Sequence, residues 1–342
     1  MSFSRSKRDQ IKKYILEIIE SGQGNIASKT SDAFAISENS IYRYLRELLT
    51  ENIIVKGKNG QYTINSEYYE YFFKSSDKPD EGVILDENIK KHLEGLPENV
   101  YRIWQYGFSE IMNNAIDHSK GKNIHVSIIK NPLNITMKIE DDGIGLFKKI
   151  KEHFNLPTMT DARTELFKGK LTTDDRHHSG EGIFFTSRIM DMFAVISGGL
   201  LYSYNERDEI EKMMVTSGFD EVYVSRDRGT VIIMKLSNAS NKELKELFDR
   251  YADVEGGFTK TSIPLKNIYD DYPISRSQAK RLYNRFDRFE EVILDFTGVS
   301  EIGQAFAHEL FIVFGNEHPE INLKVQNAGE SVLKMINHVK RT

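Results

Sequence analysis

The residues best suited to chemistry lie in the stretch from Ser109 to His118. Within it, Glu110 and Asn114 are four residues apart, which places their side chains on one face of a helix. A carboxylate and an amide in this arrangement could share a metal ion and a water molecule. Helical spacing of apolar residues from about 86 to 118 predicts the helix that carries the pair.

Two glycine-containing motifs follow further along the chain. Asp141-Asp142-Gly143-Ile144-Gly145 comes directly after an alternating apolar run, which predicts a strand that ends in a tight turn. Ser179-Gly180-Glu181-Gly182 precedes an apolar helical segment, and glycines at a helix start can turn backbone amides toward phosphate oxygens. Together with the helix, these motifs predict a nucleotide pocket.

The order of these motifs, completed by Gly229-Thr230 at the start of a strand, resembles the GHKL ATPases over roughly residues 80 to 238. That family includes gyrase-type ATPases, histidine kinases, MutL-type proteins and the anti-sigma-factor serine kinases. Leu166 to Thr173 is most similar to the nucleotide lid of the anti-sigma kinases. The resemblance implies ATP and Mg²⁺ as cofactors.

The resemblance also implies a role for each matching position. Asn114 would bind the Mg²⁺, Glu110 would activate or orient the attacking nucleophile, and Asp141 would bind the exocyclic amine of adenine. The remaining cofactor-binding positions are Gly143, Gly145, Lys170, Thr173, Gly180, Gly182 and Thr230.

Plainer interpretations exist for several of these residues. Glu110 and Asn114 could be a solvated pair on a helix surface, and Asp141 could belong to an ordinary Asp-Gly turn. His177 and His178 are expected to be lid residues rather than metal ligands, because the sequence has no cysteine and no second suitably spaced donor pair.

Composition limits the remaining possibilities. The chain has 342 residues, enough for two or three domains that each bury a core, and a net charge of −5 argues against wholesale wrapping of nucleic acid. It contains no cysteine, which fits a reducing compartment. Neither a signal peptide nor an apolar run of membrane-spanning length is found. These features predict a soluble, cytoplasmic protein that does not bind a membrane.

Residues 1–65 are predicted to form a separate unit of three helices and a hairpin. The helices are a first amphipathic segment with Ile11 and Ile15, a second from about 25 to 34, and a third from 37 to 50. This pattern resembles a winged helix-turn-helix, which implies contact with double-stranded DNA. The implied contact residues are Asn39, Ser40, Tyr42 and Arg43 on the third helix and Lys56 and Lys58 on the wing. Such units also serve as protein-docking modules, and that alternative stays open.

The rest of the chain is divided at changes in composition. Residues 66–85, aromatic-rich and then polar, are predicted as a linker, with the aromatic run packed at a domain or oligomer interface. Residues 86–238 would form the GHKL α/β sandwich, and residues 239–254 a connecting helix. The predicted fold class is therefore multidomain α+β.

Residues 255–342 alternate strands and helices, which predicts a compact α/β domain. The run from Val292 to Ile302, followed by a helix, resembles the STAS domains of anti-sigma-factor antagonists. In those antagonists the helix opens with a serine that accepts phosphate, whereas the matching position here is Ala305. Alanine has no hydroxyl, so this domain is predicted to be a contact module for the ATPase domain, a second protomer or another protein.

The sequence is compatible with two main functions and a third, weaker one. The first is an ATP-responsive DNA-binding regulator, in which Mg-ATP orders a lid from about 150 to 180 and re-orients or pairs protomers, and slow hydrolysis promoted by Glu110 resets the state. The alternative is an anti-sigma-type serine/threonine kinase that acts on a separate protein. A non-hydrolysing ATP sensor is a third reading, which the presence of Glu110 weakens. A homodimer is compatible with all three.

Overall fold

The computed structural model describes residues 4–77, 79–171, 181–204, 228–253, 255, 257–269 and 272–341. The chain begins with three helices, α1 (Arg5–Glu20), α2 (Ile26–Phe34) and α3 (Glu38–Thr50), followed by the antiparallel strands β1 (Ile54–Lys56) and β2 (Tyr62–Ile64). Ile11, Ile15 and Leu45 lie in a hydrophobic cluster of this unit, apart from the main core. The bounds of α2 and α3 agree with the predicted helices to within one residue.

A six-stranded antiparallel sheet forms the centre of the molecule. Its strands, in the spatial order β3-β4-β5-β8-β6-β7, are β3 (Glu67–Lys74), β4 (Asn123–Lys130), β5 (Asn134–Asp141), β6 (Met192–Ser197), β7 (Leu200–Ser203) and β8 (Thr230–Ser237). β5 and β8 are neighbours at the middle of the sheet, and all eight residues of β5 are buried.

The predicted linker at 66–85 requires correction. Its aromatic half is β3, which pairs with β4 over its whole length, from Glu67 opposite Lys130 to Lys74 opposite Asn123. Tyr69, Tyr71 and Phe73 pack against the main core at the period of two that a strand imposes. The central sheet therefore begins near residue 67 rather than 86.

Helices pack against the core face of the sheet. They are α4 (Glu81–Ile84), α5 (Lys90–Leu93), α6 (Glu98–Asn113), α7 (Leu146–His153), α8 (Met159–Lys168) and α9 (Gly182–Ile189). Trp104 and Phe108 of α6 are fully buried, and a wide π turn at Asn114–His118 continues this helix. Among the described residues, none of the helices is both long and apolar enough to cross a membrane.

The C-terminal part has a three-stranded parallel sheet in the order β11-β10-β9. Its elements are α10 (Leu244–Tyr251), β9 (Lys260–Pro264), α11 (Leu265–Ile268), α12 (Arg276–Tyr283), β10 (Glu291–Asp295), α13 (Gln304–His308), α14 (Gly315–Glu317), β11 (Asn322–Gln326) and α15 (Glu330–Arg341). The helix predicted over 275–289 ends at Tyr283, because Arg285 adopts a left-handed backbone with φ +65°. Ala305 is exposed in the first turn of α13.

The C-terminal domain and the central domain share one continuous hydrophobic core. Their main polar contact is at the end of α8, where the fully buried Lys168 Nζ lies 2.5 Å from Glu165 Oε1 and donates to the carbonyl oxygens of Asn284 (2.7 Å) and Arg281 (3.2 Å). Thr261 Oγ1 donates to the Lys168 carbonyl at 2.7 Å. The described part of the predicted lid, up to residue 171, is therefore largely helical and fixed to the C-terminal domain.

Candidate nucleotide-binding site

A cavity of about 330 Å³ opens between the core face of the sheet and helices α6, α7 and α9. This volume is within the range of small-molecule sites. Six predicted site residues line it, namely Glu110, Asn114, Asp141, Gly145, Gly182 and Thr230. The structure thus brings together residues that are up to 120 positions apart in the chain.

The sheet supplies the first polar group of the cavity. Asp141 at the end of β5 lies opposite Thr230 at the start of β8, and Ile139 lies opposite Ile232 two residues further in. Because strand side chains alternate, these four point to the same face. They form a surface that is apolar over the two isoleucines and ends in a carboxylate and a hydroxyl, which suits the base of a nucleotide.

Asp141 has a buried carboxyl group, and burial disfavours its charged form. Burial raises the pKa of its carboxyl to about 6, although hydrogen bonds from Gly143 and Thr230 act in the opposite direction. Its Oδ1 accepts from the Gly143 amide at 2.8 Å. A buried acceptor of this kind is suited to an amine donor such as the exocyclic amine of adenine.

The neighbouring Asp142 binds the start of β4 and does not face the cavity. It accepts hydrogen bonds from the Lys122 amide (2.6 Å), the Asn123 amide (3.0 Å) and Asn123 Nδ2 (2.7 Å). Although its partial burial opposes the change, these bonds hold the pKa of Asp142 below its usual range. Asp142 therefore fixes the turn before β4, and Asp141 is the carboxylate that faces the cavity.

Gly143 does not line the cavity but shapes the loop that does. A Cβ at this position would overlap the Ser119 carbonyl, and that carbonyl accepts from the Ile144 amide at 2.9 Å. Gly145, with φ +87°, then starts α7. The Leu146 amide donates to Ser197 Oγ (2.9 Å) and Thr230 Oγ1 (3.0 Å). The predicted role of Gly143 in a close backbone approach is thus directed at Ser119.

The end of α6 supplies the second polar group. Glu110 and Asn114 both line the cavity, and Asn114 Nδ2 donates to the Glu110 carbonyl at 2.7 Å. A Cβ on Gly182 would overlap the Glu110 carboxylate, so glycine at the first residue of α9 leaves the space that this carboxylate occupies. A carboxylate beside a helix N-terminus is electrostatically favourable. The π turn that starts at Asn114 is a feature often found at functional sites.

Other predicted residues are not in the cavity. Lys170 Nζ donates to the Arg288 carbonyl at 2.7 Å and lies over the rings of Phe258 and Phe289, so it contacts the C-terminal domain instead of the cavity. The cofactor contact predicted for Lys170 stays a prediction. Thr173 and Gly180, together with the histidines at 177 and 178, lie outside the described residues.

Several lining residues were not predicted from the sequence, among them Asn113, Ser119 and Lys149. Lys149 is one helical turn after Gly145, a spacing that could have identified it. Ser197 does not line the cavity but accepts a hydrogen bond from the Leu146 amide. It had no local signal, because the pairing of β6 with β8 is what places it opposite Thr230.

The predicted DNA-contact residues lie on the surface of the N-terminal unit. Asn39, Tyr42 and Arg43 are exposed on α3, and Ser40 is half-buried with its Oγ 3.1 Å from Ser37 Oγ. Arg43 Nε is 3.9 Å from the Glu47 carboxylate. Lys56, on β1, and Lys58, in the following turn, are both exposed.

An antiparallel sheet with helices packed on its core face and a buried aspartate at a central strand end forms a two-layer α/β sandwich. Residues 101–240 match the family described as Histidine kinase-, DNA gyrase B-, and HSP90-like ATPase. Residues 278–333 match the family described as STAS-like domain of unknown function (DUF4325). A comparison with curated proteins found no match. The chain therefore contains a GHKL ATPase domain and a STAS-like domain, as the sequence motifs predicted.

The residues present fit ATP with Mg²⁺. Asp141 offers a buried acceptor for the base, and Asn114 offers an amide oxygen of the type that Mg²⁺ binds together with phosphates and water. Within the described ranges, no group of three or more His, Asp and Glu side chains is arranged to hold a metal ion.

The pKa of Asp141 predicts a pH dependence for binding of the base. The ionised carboxylate accepts the amine hydrogen bond, so affinity should be constant above pH 7 and fall as the pH drops through about 6. At pH 5 we expect adenosine to bind about tenfold more weakly. Adenosine is the suitable ligand because it has no titrating phosphate. Calorimetry from pH 5 to 8 measures the effect, Glu110→Gln should show the same profile, and a flat profile in the wild type would contradict this role of Asp141.

Proposed function

We propose that this protein is an ATP-dependent switch in which Mg-ATP in the GHKL pocket controls binding of DNA by the N-terminal unit. The observation that carries the proposal is the convergence of Asp141, Glu110 and Asn114 on one cavity, in a domain whose strands β5 and β8 contact the N-terminal unit at Glu20. Hydrolysis promoted by Glu110 would return the switch to its starting state.

Each residue of the cavity has a part in this proposal. Asp141 and Thr230 would hold the adenine, and the glycine-started helix α9 would face the phosphates. Mg²⁺, held by Asn114 and the phosphates, would supply neutralisation of the phosphate charge. Glu110 would accept a proton from the attacking water or orient it, because its carboxylate lies against Gly182 at the start of α9 and lines the same cavity as Asn114.

The charge distribution supports DNA as the partner of the N-terminal unit. In residues 1–65 basic residues outnumber acidic ones, whereas the whole chain has a net charge of −5. Tyr42, Arg43, Lys56 and Lys58 are exposed on α3, on β1 and in the turn after it. In a winged helix-turn-helix those elements would contact the major groove and the phosphates. Lys12 is excluded from this surface, because its ammonium lies within 3.2 Å of both Glu47 and Glu51.

Contacts of Glu20 offer a route between the two sites. Glu20, the last residue of α1, accepts from Asn134 Nδ2 at 2.7 Å and from Lys235 Nζ at 3.0 Å. Asn134 begins β5 and Lys235 is near the end of β8, so both strands run from this contact to the cavity residues Asp141 and Thr230. Leu133 also packs in the hydrophobic cluster of the N-terminal unit. A shift of these two strands would therefore reach α1.

The experiment is a binding titration with DNA from upstream of the protein's own gene and with a scrambled duplex, across a salt series. It is done with and without Mg²⁺ and a non-hydrolysable ATP analogue. A nucleotide-dependent change in affinity for the upstream DNA alone supports the switch. If neither duplex binds while the analogue does, the N-terminal unit is a protein-docking module and the DNA part of the proposal is wrong.

Substitution of Glu20 tests the coupling directly. We expect Glu20→Ala to keep the ATP affinity and the DNA affinity of the nucleotide-free protein, and to lose most of the change that ATP causes, because the link to β5 and β8 is removed. Glu17→Ala is the matched control, since Glu17 is on the same helix and pairs only loosely with Lys13 at 3.8 Å. An unchanged ATP effect in Glu20→Ala would show that the coupling takes another route.

A further inference from the structure

The outer edge of β3 is an open sheet edge beside exposed aromatic side chains. β3 is an edge strand of the six-stranded sheet, and no described strand pairs with its outer side. Phe72 is 73% exposed and Tyr68 is 56% exposed on the face away from the core. Natural sheets protect such an edge by proline, bulges, a covering segment or charged side chains, and of these, in the described part of the chain, β3 carries only the charged side chains of Glu67, Glu70 and Lys74. β3 has no proline, and it pairs with β4 residue for residue without a bulge.

The hydrogen-bonding pattern shows which backbone groups point outward. The Ser75 amide donates to the Lys122 carbonyl, and the Asp142 amide donates to the Asn123 carbonyl. In an antiparallel ladder such bonds alternate, so the odd-numbered residues of β3 bond to β4. The even-numbered residues, Glu70, Phe72 and Lys74 among them, direct their N–H and C=O groups to the open edge.

We propose that two copies of this chain associate through β3, antiparallel and edge to edge, with the two-fold axis at Phe72. A two-fold axis perpendicular to a sheet keeps the same face upward in both copies. Directly opposite residues must therefore have numbers whose sum is even. This condition leaves few registers for a strand of this length.

Charge selects among those registers. An axis at Glu70 would place Glu70 opposite its own copy, which is unfavourable. An axis at Tyr71 would place Glu70 opposite Phe72. An axis at Phe72 places Glu70 opposite Lys74 of the second copy, twice by symmetry, and brings the two exposed Phe72 rings together. This register alone pairs the opposite charges directly and covers the exposed ring.

The side chains are already arranged for this contact. Phe72 stacks on His125 with ring centroids 4.4 Å apart and planes within 1°, which holds the ring in place. Glu70 Oε1 accepts from the Tyr68 hydroxyl at 2.8 Å and lies 2.9 Å from His125 Nε2. Both residues are therefore ordered on the edge before association, which lowers the entropy lost on binding.

A charge-exchange experiment tests both the interface and its register. Glu70→Lys gives lysines that face Lys74 of the second copy, and Lys74→Glu gives glutamates that face Glu70. Each variant alone should dimerise at least about tenfold more weakly than the wild type, because like charges oppose each other at two places. An equimolar mixture of the two should recover dimerisation, since each mixed pair has opposite charges. Sedimentation equilibrium and native mass spectrometry measure the species.

Phe72→Pro is the second variant, because it removes an N–H that points to the open edge and none that bonds to β4. It should be monomeric with unchanged ATP affinity. A wild-type protein that stays monomeric across the micromolar range would overturn the proposal. Single variants that dimerise like the wild type would also overturn it, and a mixture that fails to recover would exclude this register.

Discussion

Asp141→Asn should abolish ATP binding, with an affinity at least about 100-fold below that of the wild type. The amide would present N–H groups or a weaker acceptor where the buried carboxylate receives the adenine amine, so a buried donor is left without a partner. The measurement is calorimetric titration with ATP and Mg²⁺ at pH 7.5, where Asp141 is ionised.

Stability provides the control for this variant. Because the folded state raises the pKa of Asp141 to about 6, it holds the proton more tightly than the unfolded chain does. Stability is therefore lost as the pH rises from the unfolded value through about 6, and the ionised group destabilises the nucleotide-free protein at neutral pH. Asp141→Asn should then melt no lower than the wild type at pH 7.5. ATP affinity within a few fold of the wild type would contradict the assignment.

Glu110→Gln should separate binding from turnover. The amide keeps the shape of the side chain against Gly182 but has no basic oxygen, so we expect ATP to bind within a few fold of the wild type. The rate of hydrolysis should fall by about 100-fold or more, the usual effect of losing a general base. Single-turnover assays with labelled ATP measure the rate, and Glu98→Gln, exposed on the same helix, is the matched control.

Equal turnover in the wild type and Glu110→Gln would rule out this catalytic role. The same assay distinguishes the kinase alternative, because free phosphate indicates hydrolysis and labelled protein indicates transfer to a partner. The STAS-like domain of the chain itself offers Ala305 at the usual acceptor position, so transfer would have to be to another residue or protein.

The sequence predicted the site where chemistry required particular residue types at local spacing. Glu110 and Asn114 share a helix, and Asp141 follows an apolar strand, so their place in a common pocket could be predicted without a three-dimensional structure. Ser197 and Asn113 could not be inferred in this way. Ser197 reaches the site through strand order, which depends on contacts between distant segments, and Asn113 was hidden by the more recognisable residue beside it.

The domain boundaries were harder to predict for the same reason. Residues 67–74 looked like a linker because tyrosine and phenylalanine occupy both faces, which hides the alternation that identifies a strand. Lys168 and Lys170 lie in the segment that resembles the nucleotide lid, and Lys170 was predicted to bind the cofactor. They are instead fixed to carbonyl groups of the C-terminal domain, and no pattern in their own segment indicates those partners.

The short connection between β2 and β3 would limit how far apart two N-terminal units can lie, and so the spacing of the two halves of a DNA site. Only Asn65 and Ser66 separate the N-terminal unit from the strand through which two copies would associate. With the axis at Phe72, the two β3 strands would begin about 34 Å apart, at about 3.4 Å per residue. If the two α3 helices are held at the same separation as these strand starts, they would fit half-sites one turn of B-form DNA apart, on one face of a duplex. A palindrome with that spacing would then be the preferred target, and insertion of half a turn between its halves would place the second half-site on the opposite face of the duplex.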